Sequence, residues 1–417
     1  MMRNHSKSKI DHLVKKGVII PSPESVEIGS EIDTDRVCGS NVTIYSGCKI
    51  YGSSTLILQG TALGYEGPVT IENCQIGPDV ELRGGFFKDA VFLEKAKMGL
   101  GAHVREGTIL EEESNGAHTV ALKQTILFPF VTLGSLINFC DCLMSGGTSR
   151  KDHSEVGSSY IHFNYTPNQD KATPSLIGDV PSGVMLNQKP IFLGGQGGLV
   201  GPSRLMFGNI IAAGTIFRKD SLKQDRLLFA GQPKSGNIHF TIGIYQNIKR
   251  IMLNNIIYIA NLAALMQWYV HVRSLFISND FPDALLAGLK EKLNIAIDER
   301  IRQLKIFCDK MPDSADKYKE MAEESASKLL LKQKNELFSR WVELESFFMD
   351  CRKNEGDNIL RNVFLEAVNR KIKTSGKHYI SVIKGLDPED TKTGIMWLQG
   401  IVDQVTAESL KIIPSFA

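Results

Sequence analysis

From Val26 onward an apolar residue returns at every sixth position: Val26, Ile32, Cys38, Ile44, Ile50 and Leu56. Small or apolar side chains tend to follow two residues later, at Ile28, Thr34, Ser40, Ser46, Gly52 and Leu58. A period of six matches neither one face of a helix nor a simple alternating strand. It matches a solenoid of short strands and turns, with one inward side chain at a fixed point on each face. Three hexads make a triangular coil of about eighteen residues, and stacked coils pair as parallel strands ~4.8 Å apart. The pattern resumes at Cys74, Val80, Phe86, Phe92, Met98, Val104 and Leu110, with Ile76-Gly77, Leu82 and Leu100-Gly101 as companions. Residues 57–73 read as a loop excursion between the two runs. A sandwich with turns at similar spacing accounts for the first run alone; a second run obeying the same rule favours the solenoid. The repeat continues less regularly through Val120, Ile126, Val131, Ile137 and Leu143 and ends near Phe217-Arg218-Lys219-Asp220.

The period then changes. Gln232-Pro233-Lys234-Ser235-Gly236 reads as a linker. Beyond it, Ile244, Ile248, Ile251, Asn255, Tyr258, Leu262, Leu265 and Tyr269 alternate spacings of four and three, as one face of a helix does. A second stripe runs from Leu286 to Cys308 and a third from Leu330 to Phe348, punctuated by Pro282, Pro312 and Gly356. Shorter helices are expected over 357–371 and 391–409. The organisation expected is an N-terminal segment (1–25), a β-solenoid of hexapeptide repeats (26–235) and an all-α region (236–417).

Composition narrows the function classes. The 417 residues suffice for two or three domains with cores of their own. A formal net charge of +2 points to no nucleic acid and no acidic membrane surface. The 37 glycines lie mainly before residue 220, where the tight turns are expected. Seven cysteines show no disulfide-framework spacing, and Cys140 and Cys142 are too close for a zinc pair, so no metal is expected. The start, MMRNHSKSKIDHLVKK, is basic but lacks an apolar run with a cleavage site, and a reduced, cytoplasmic protein is expected. Ile251 to Met266 is the most apolar segment, but Asn254, Asn255 and Asn261 interrupt it, which favours a buried helix over a membrane span.

Three short motifs follow one another in order. Val156-Gly157-Ser158-Ser159-Tyr160 leads to Asn164-Tyr165-Thr166-Pro167 and then to Leu176-Ile177-Gly178-Asp179; downstream stands Ile210-Ile211-Ala212-Ala213-Gly214-Thr215. This series resembles the C-terminal acetyltransferase domain of the bacterial bifunctional UDP-N-acetylglucosamine pyrophosphorylase / glucosamine-1-phosphate N-acetyltransferase, over roughly residues 95–220. That resemblance implies a left-handed β-helix, a homotrimer with sites between subunits, and acetyl-CoA as co-substrate. No glycine-rich nucleotidyltransferase start precedes the solenoid, so pyrophosphorylase activity is not expected.

The resemblance also implies site residues. Arg105, in Gly101-Ala102-His103-Val104-Arg105, and Lys123, in Val120-Ala121-Leu122-Lys123, match the family's phosphate-binding cations. A guanidinium fork suits two phosphate oxygens. The two residues are eighteen apart, so they stack on one face, as a phosphate cradle or as two exposed turn charges. Asp141 matches a family aspartate; anchored there, Asn138 falls at the tyrosine that touches the sugar, and Ser135 at the general-base histidine. Serine cannot replace an imidazole as base near neutrality. The chain is longer than the family between Asp141 and Val156, and this insertion carries His153 beside Asp152 and Glu155. His153 is therefore expected as a relocated base or phosphate ligand, against a solvated loop histidine; His162 is a second candidate. Asn164, Tyr165 and Lys171 match acceptor and donor contacts. The pantetheine arm would lie along Ser158, Gly183 or Val184, and Ala212–Ala213, or these small residues simply serve tight turns. Gly194-Gly195-Gln196-Gly197-Gly198 is either an anion-binding nest or a structural turn.

Three functional readings are open at this point. The chain is an acyltransferase acting on an amino-sugar phosphate or nucleotide sugar, or a nucleotide-sugar-binding scaffold that has lost its base, or a spacer without ligand.

Overall fold

The computed structural model describes residues 2–229, 236–237 and 240–417. The expected linker and the boundary at 235/236 lie largely outside these residues.

Short strands wind into a β-solenoid with three faces, and every pairing between coils is parallel. Face A is a ten-stranded sheet running from Thr43–Ile44 through Asn115–Gly116, Thr132–Leu133 and Glu155–Val156 to Leu227–Leu228. Face B includes Ala102–Val104, Tyr160–Phe163 and Gly197–Val200; face C includes Ala90–Phe92, Thr108–Leu110 and Ser175–Ile177. Two long strands, Val120–Leu127 and Ile137–Met144, turn the B/C corner without a break and join both faces into one sheet. They turn at Gln124 and Asp141, which take the left-handed conformation (φ 49° and 62°).

The apolar sixth positions fill the interior: Val26, Ile32, Ile44, Ile50, Val80, Phe92, Met98 and Val104 are buried. Three details of the expected phase change. Val37 rather than Cys38, and Phe87 rather than Phe86, point inward; Phe86 lies outside, stacked on His103 at 5.2 Å. The inward companion often stands two residues before the sixth position, as in Val42–Ile44 and Cys48–Ile50, so Ser40 and Ser46 are turn residues. Residues 57–73 are no excursion. They carry the strands Ala62–Leu63 and Val69–Glu72, with Leu63, Val69 and Ile71 in the core, and only the turn between them is lengthened.

The helix Met2–Lys16, absent from the sequence reading, closes the first coils. Ile10 and Leu13 are buried, and Lys9 donates to the carbonyls of Gly29 and Ser30.

The C-terminal helices form at the expected stripes, at Ile248–Gln267, Asp283–Asp309, Lys328–Ser339, Trp341–Cys351, Asn358–Ser375 and Pro388–Ile412, with Met311–Ala322 and Tyr379–Lys384 added. They are packed onto the solenoid: Asp283–Asp309 lies across face C, and one apolar core runs through both halves. The stretch Ile248–Phe276 is long and apolar enough to cross a membrane, but 83% of its most apolar window is buried inside the protein. Its asparagines are used internally; Asn261 accepts from the Val180 amide at 2.9 Å and Asn255 donates to the Ala172 carbonyl at 3.0 Å. Polar pairs also bridge the two halves. Tyr269 donates to Glu111 at 2.6 Å and Arg273 pairs with Glu112, all four side chains being buried.

Candidate functional site

The outward surface of face B is built from every second residue of its strands. In register along one row stand His103, Ala121, Asn138 and Ile161. A second row, at the B/C corner, contains Lys123 beside Cys140, with Arg105 one coil earlier, where its amide donates to the Leu122 carbonyl at 2.8 Å. The eighteen-residue rung therefore puts Arg105 next to Lys123.

The electrostatics of this corner are mixed. Arg105 is exposed, and its guanidinium makes no hydrogen bond or ion pair among the described residues. Lys123 instead pairs with Glu106 at 2.6 Å. Against the burial that raises it, the Lys123 ammonium holds the Glu106 carboxyl below its ordinary range. Lys123 must release Glu106, or share it, to meet an anion.

At the far end of face B, Asn164 donates to Asp141 at 3.4 Å. Asp141 is itself ion-paired with Arg300 at 2.9 Å, and both of these side chains are 2% exposed. Tyr165 is exposed and Lys171 sits over its ring, 5.9 Å from the centroid. This loop is held from the helical side. Tyr245 donates to Asp170 at 2.9 Å, Lys310 to the carbonyl of Gln169 at 2.8 Å and Arg300 to the carbonyl of Lys171 at 2.8 Å. The helical half thus shapes the loop that carries three of the expected site residues.

The A/B corner is a column of tight turns. Ala117-His118-Thr119, Gly134-Ser135-Leu136, Gly157-Ser158-Ser159, Gly194-Gly195-Gln196 and Ala212-Ala213-Gly214 lie one above the other, and the third residue of each has positive φ. Small residues are required at the first position because the coils touch: a Cβ on Gly157 would stand 2.5 Å from the Gly195 nitrogen. Ser158 and Ala212–Ala213 are brought together here. The Ser135 amide donates to Ser158 Oγ at 3.2 Å, and Ser135 Oγ lies 2.8 Å from His118 Nδ1.

Other expected residues lie elsewhere. His153 sits at the C/A corner, on a hairpin formed by Gly147–Ser149 and Asp152–His153. Arg150 pins that hairpin by donating to Phe130 O and Thr132 Oγ1, both at 2.8 Å. His153 Nε2 is 3.8 Å from Glu155, and its buried Nδ1 lacks a partner among the described residues. The Glu155–Val156 strand of face A separates His153 from Ser158. Gly183 and Val184 are also at the C/A corner, in and beside the buried turn Val180–Gly183, which Asp179 caps at 2.8 Å from the Ser182 amide. The helices Ile248–Gln267 and Pro388–Ile412 pack over that turn, which leaves Val184 no ligand surface. His162 is buried; its Nδ1–H donates to the Cys140 carbonyl at 2.6 Å and its Nε2 accepts from Ser175 at 2.8 Å. Burial, against the pull of Asp141, lowers its pKa to about 4, and both nitrogens are occupied. The glycine-rich loop is a structural turn: amides of Gly194, Gln196, Gly198 and Gly201 donate to carbonyls of neighbouring coils at 2.8, 2.8, 3.1 and 3.2 Å.

Comparison with known proteins bears on this geometry. No protein-family model matches the chain. Among curated proteins it is similar to the bifunctional protein GlmU of Pelobacter propionicus, 27% identical over 209 residues, which is 50% of this chain and 40% of that protein. The GlmU of Thermotoga maritima is 27% identical over 214 residues, 51% of this chain and 42% of the relative. That of Clavibacter sepedonicus is 26% identical over 204 residues, 49% and 36%. Over about half its length the chain is a homologue of GlmU. It spans less than half the length of these GlmU proteins.

His118 and Arg300 were not singled out by sequence. His118 stands seventeen positions before Ser135, which is the coil length between Ala121 and Asn138. That arithmetic is a usable signal. No local signal marks Arg300, which reaches Asp141 from a distant helix.

Proposed function

We propose that the chain is a hexapeptide-repeat acyltransferase moving an acetyl group from acetyl-CoA to the amine of an amino-sugar phosphate or nucleotide sugar. The observation that carries this reading is the row of Arg105, Lys123, Asn138 and Asn164 on successive coils of face B, with Ser158, Ala212 and Ala213 stacked along the opposite edge of that face. Arg105 and Lys123 would bind phosphate, a charge-assisted contact that fixes the sugar at the B/C corner. Asn138, Asn164 and Tyr165 would orient the acceptor, and Lys171 would close over it. The A/B corner suits the pantetheine arm of coenzyme A: Ser158 and Ala213 are exposed, and a Cβ on Gly214 would meet nothing within 4 Å. Acetyl-CoA supplies the activated acyl group.

Exposed apolar residues of the outer faces, among them Ile161, Ile210 and Ile216, fit packing around a threefold axis. A trimer in sedimentation at micromolar concentration supports that arrangement; a monomer removes it.

A second reading has an observation of its own. Ser135 stands where the resemblance places the general base, as in a nucleotide-sugar-binding protein that no longer turns over. Acetyl-CoA consumption with a panel of amino-sugar phosphates and nucleotide amino sugars separates the two. Turnover with any of them supports the enzyme; binding of UDP-N-acetylglucosamine without turnover supports the binding module.

A further inference from the structure

We infer that His118 is the general base of this site and that Ser135 is its positioning residue. The inference rests on the acyltransferase reading and adds a residue to it. Three observations lead to it. First, His118 Nδ1 and Ser135 Oγ are 2.8 Å apart on an exposed corner, so the imidazole is held by the residue that replaces the expected histidine. Second, the contact continues to a third coil, because the Ser135 amide donates to Ser158 Oγ at 3.2 Å. The imidazole thus stands in line with the corner proposed for coenzyme A. Third, His118 stands two residues before the first residue of the strand Val120–Leu127 that presents Lys123, and Ser135 two before the first residue of the strand that presents Asn138.

The other histidines near the site do not meet these conditions. His153 belongs to the C/A corner, across face A from Ser158. Both nitrogens of His162 are taken up inside the protein. His103 is exposed on face B but stacks on Phe86 at 5.2 Å, one coil further from the Ser135 corner than His118.

The chemistry follows from the tautomer. With its proton on Nδ1, the imidazole donates to Ser135 Oγ and leaves the Nε2 lone pair free. As the acceptor's amine nitrogen bonds to the acyl carbon, Nε2 takes the proton that nitrogen gives up. The carbon–sulfur bond breaks, and the thiolate leaves with the proton returned from the imidazolium. The products are the N-acetylated sugar and the free thiol, with no other reactant. Leu136, 52% exposed beside Ser135, and Leu100, 45% exposed one coil before His118, give the corner apolar flanks.

The test compares wild type, His118→Ala, Ser135→Ala, Ser135→Thr and His153→Ala for acetyl-CoA turnover with glucosamine 1-phosphate across pH. A second readout follows the histidine imidazole resonances on addition of acetyl-CoA alone. General-base loss costs ~10²–10⁴ in rate, so His118→Ala should lose that much kcat with KM little changed, and should lose the acidic limb of the pH profile. Ser135→Ala should lower kcat and shift that limb, and Ser135→Thr, which keeps the hydroxyl, should restore both. His153→Ala should match wild type. Acetyl-CoA should move the resonance that His118→Ala deletes. A wild type that turns over with His118→Ala equally fast overturns the inference alone. A wild type that transfers acetyl to no amine overturns the acyltransferase reading and the base assignment with it.

Discussion

Asp141 of the solenoid and Arg300 of the helical half meet at 2.9 Å, each 2% exposed. The pair sits at the B/C corner, in contact with Asn164 and one bond away from the Lys171 carbonyl. Removing one partner leaves an uncompensated buried charge, at a cost of about 3–5 kcal/mol. Arg300→Met should therefore lower the melting temperature clearly, and adding Asp141→Asn should recover part of the loss. Because Arg300 also holds the Asn164–Lys171 loop, Arg300→Met should raise KM for the acceptor more than for acetyl-CoA. Equal effects on the two would mean that the loop does not meet the acceptor.

Arg105 and Lys123 differ in what they must give up. Replacing either by alanine should weaken binding of UDP-N-acetylglucosamine, a loss of about 1.5–3 kcal/mol or roughly ten- to a hundredfold. Since Lys123 is paired with Glu106 at 2.6 Å, Glu106→Gln should tighten the same binding. Calorimetric titration checks all three. Unchanged affinity in both alanine variants would take the anion site off this corner.

His162 predicts an acid-dependent loss of stability. Its pKa falls from 6.5 to about 4 on folding, so the unfolded chain binds the proton more readily than the folded one. The contribution is present above pH 6.5 and is lost as pH falls towards 4. At 1.4 kcal/mol per unit the loss is roughly 2–4 kcal/mol. Melting curves from pH 7 to pH 4 should show it in wild type, and His162→Gln should be less stable at pH 7 with a flatter dependence. A parallel slope in the variant would assign the acid sensitivity to other groups.

Most of the fold was legible because the solenoid writes its period into the chain: Ile44, Ile50, Val80, Met98 and Val104 repeat the same inward step and are all buried. Stripes in the C-terminal half gave its helices for the same reason. The errors came where that step slips. At Gly84-Gly85-Phe86-Phe87 two aromatics compete for one inward place and Phe87 takes it. At 57–73 a lengthened turn hid two strands. In the site, Arg105 and Lys123 were legible as neighbours because their coil is eighteen residues long. His118 was not, because the next coil is seventeen residues long and the insertion offers a histidine of its own at His153. The role of the helical half was invisible, since Arg300, Tyr245 and Lys310 reach the Asn164–Lys171 loop from helices and turns far along the chain.

The most direct measurement is release of free thiol when the purified chain is mixed with acetyl-CoA and glucosamine 1-phosphate. Acetyl transfer at face B predicts one thiol for each amine acetylated, and none above background when glucose 1-phosphate, which lacks the amine, replaces the acceptor. No acceptor-dependent thiol from any amino-sugar phosphate, in a preparation that still binds UDP-N-acetylglucosamine, would contradict it and leave the chain a binding protein.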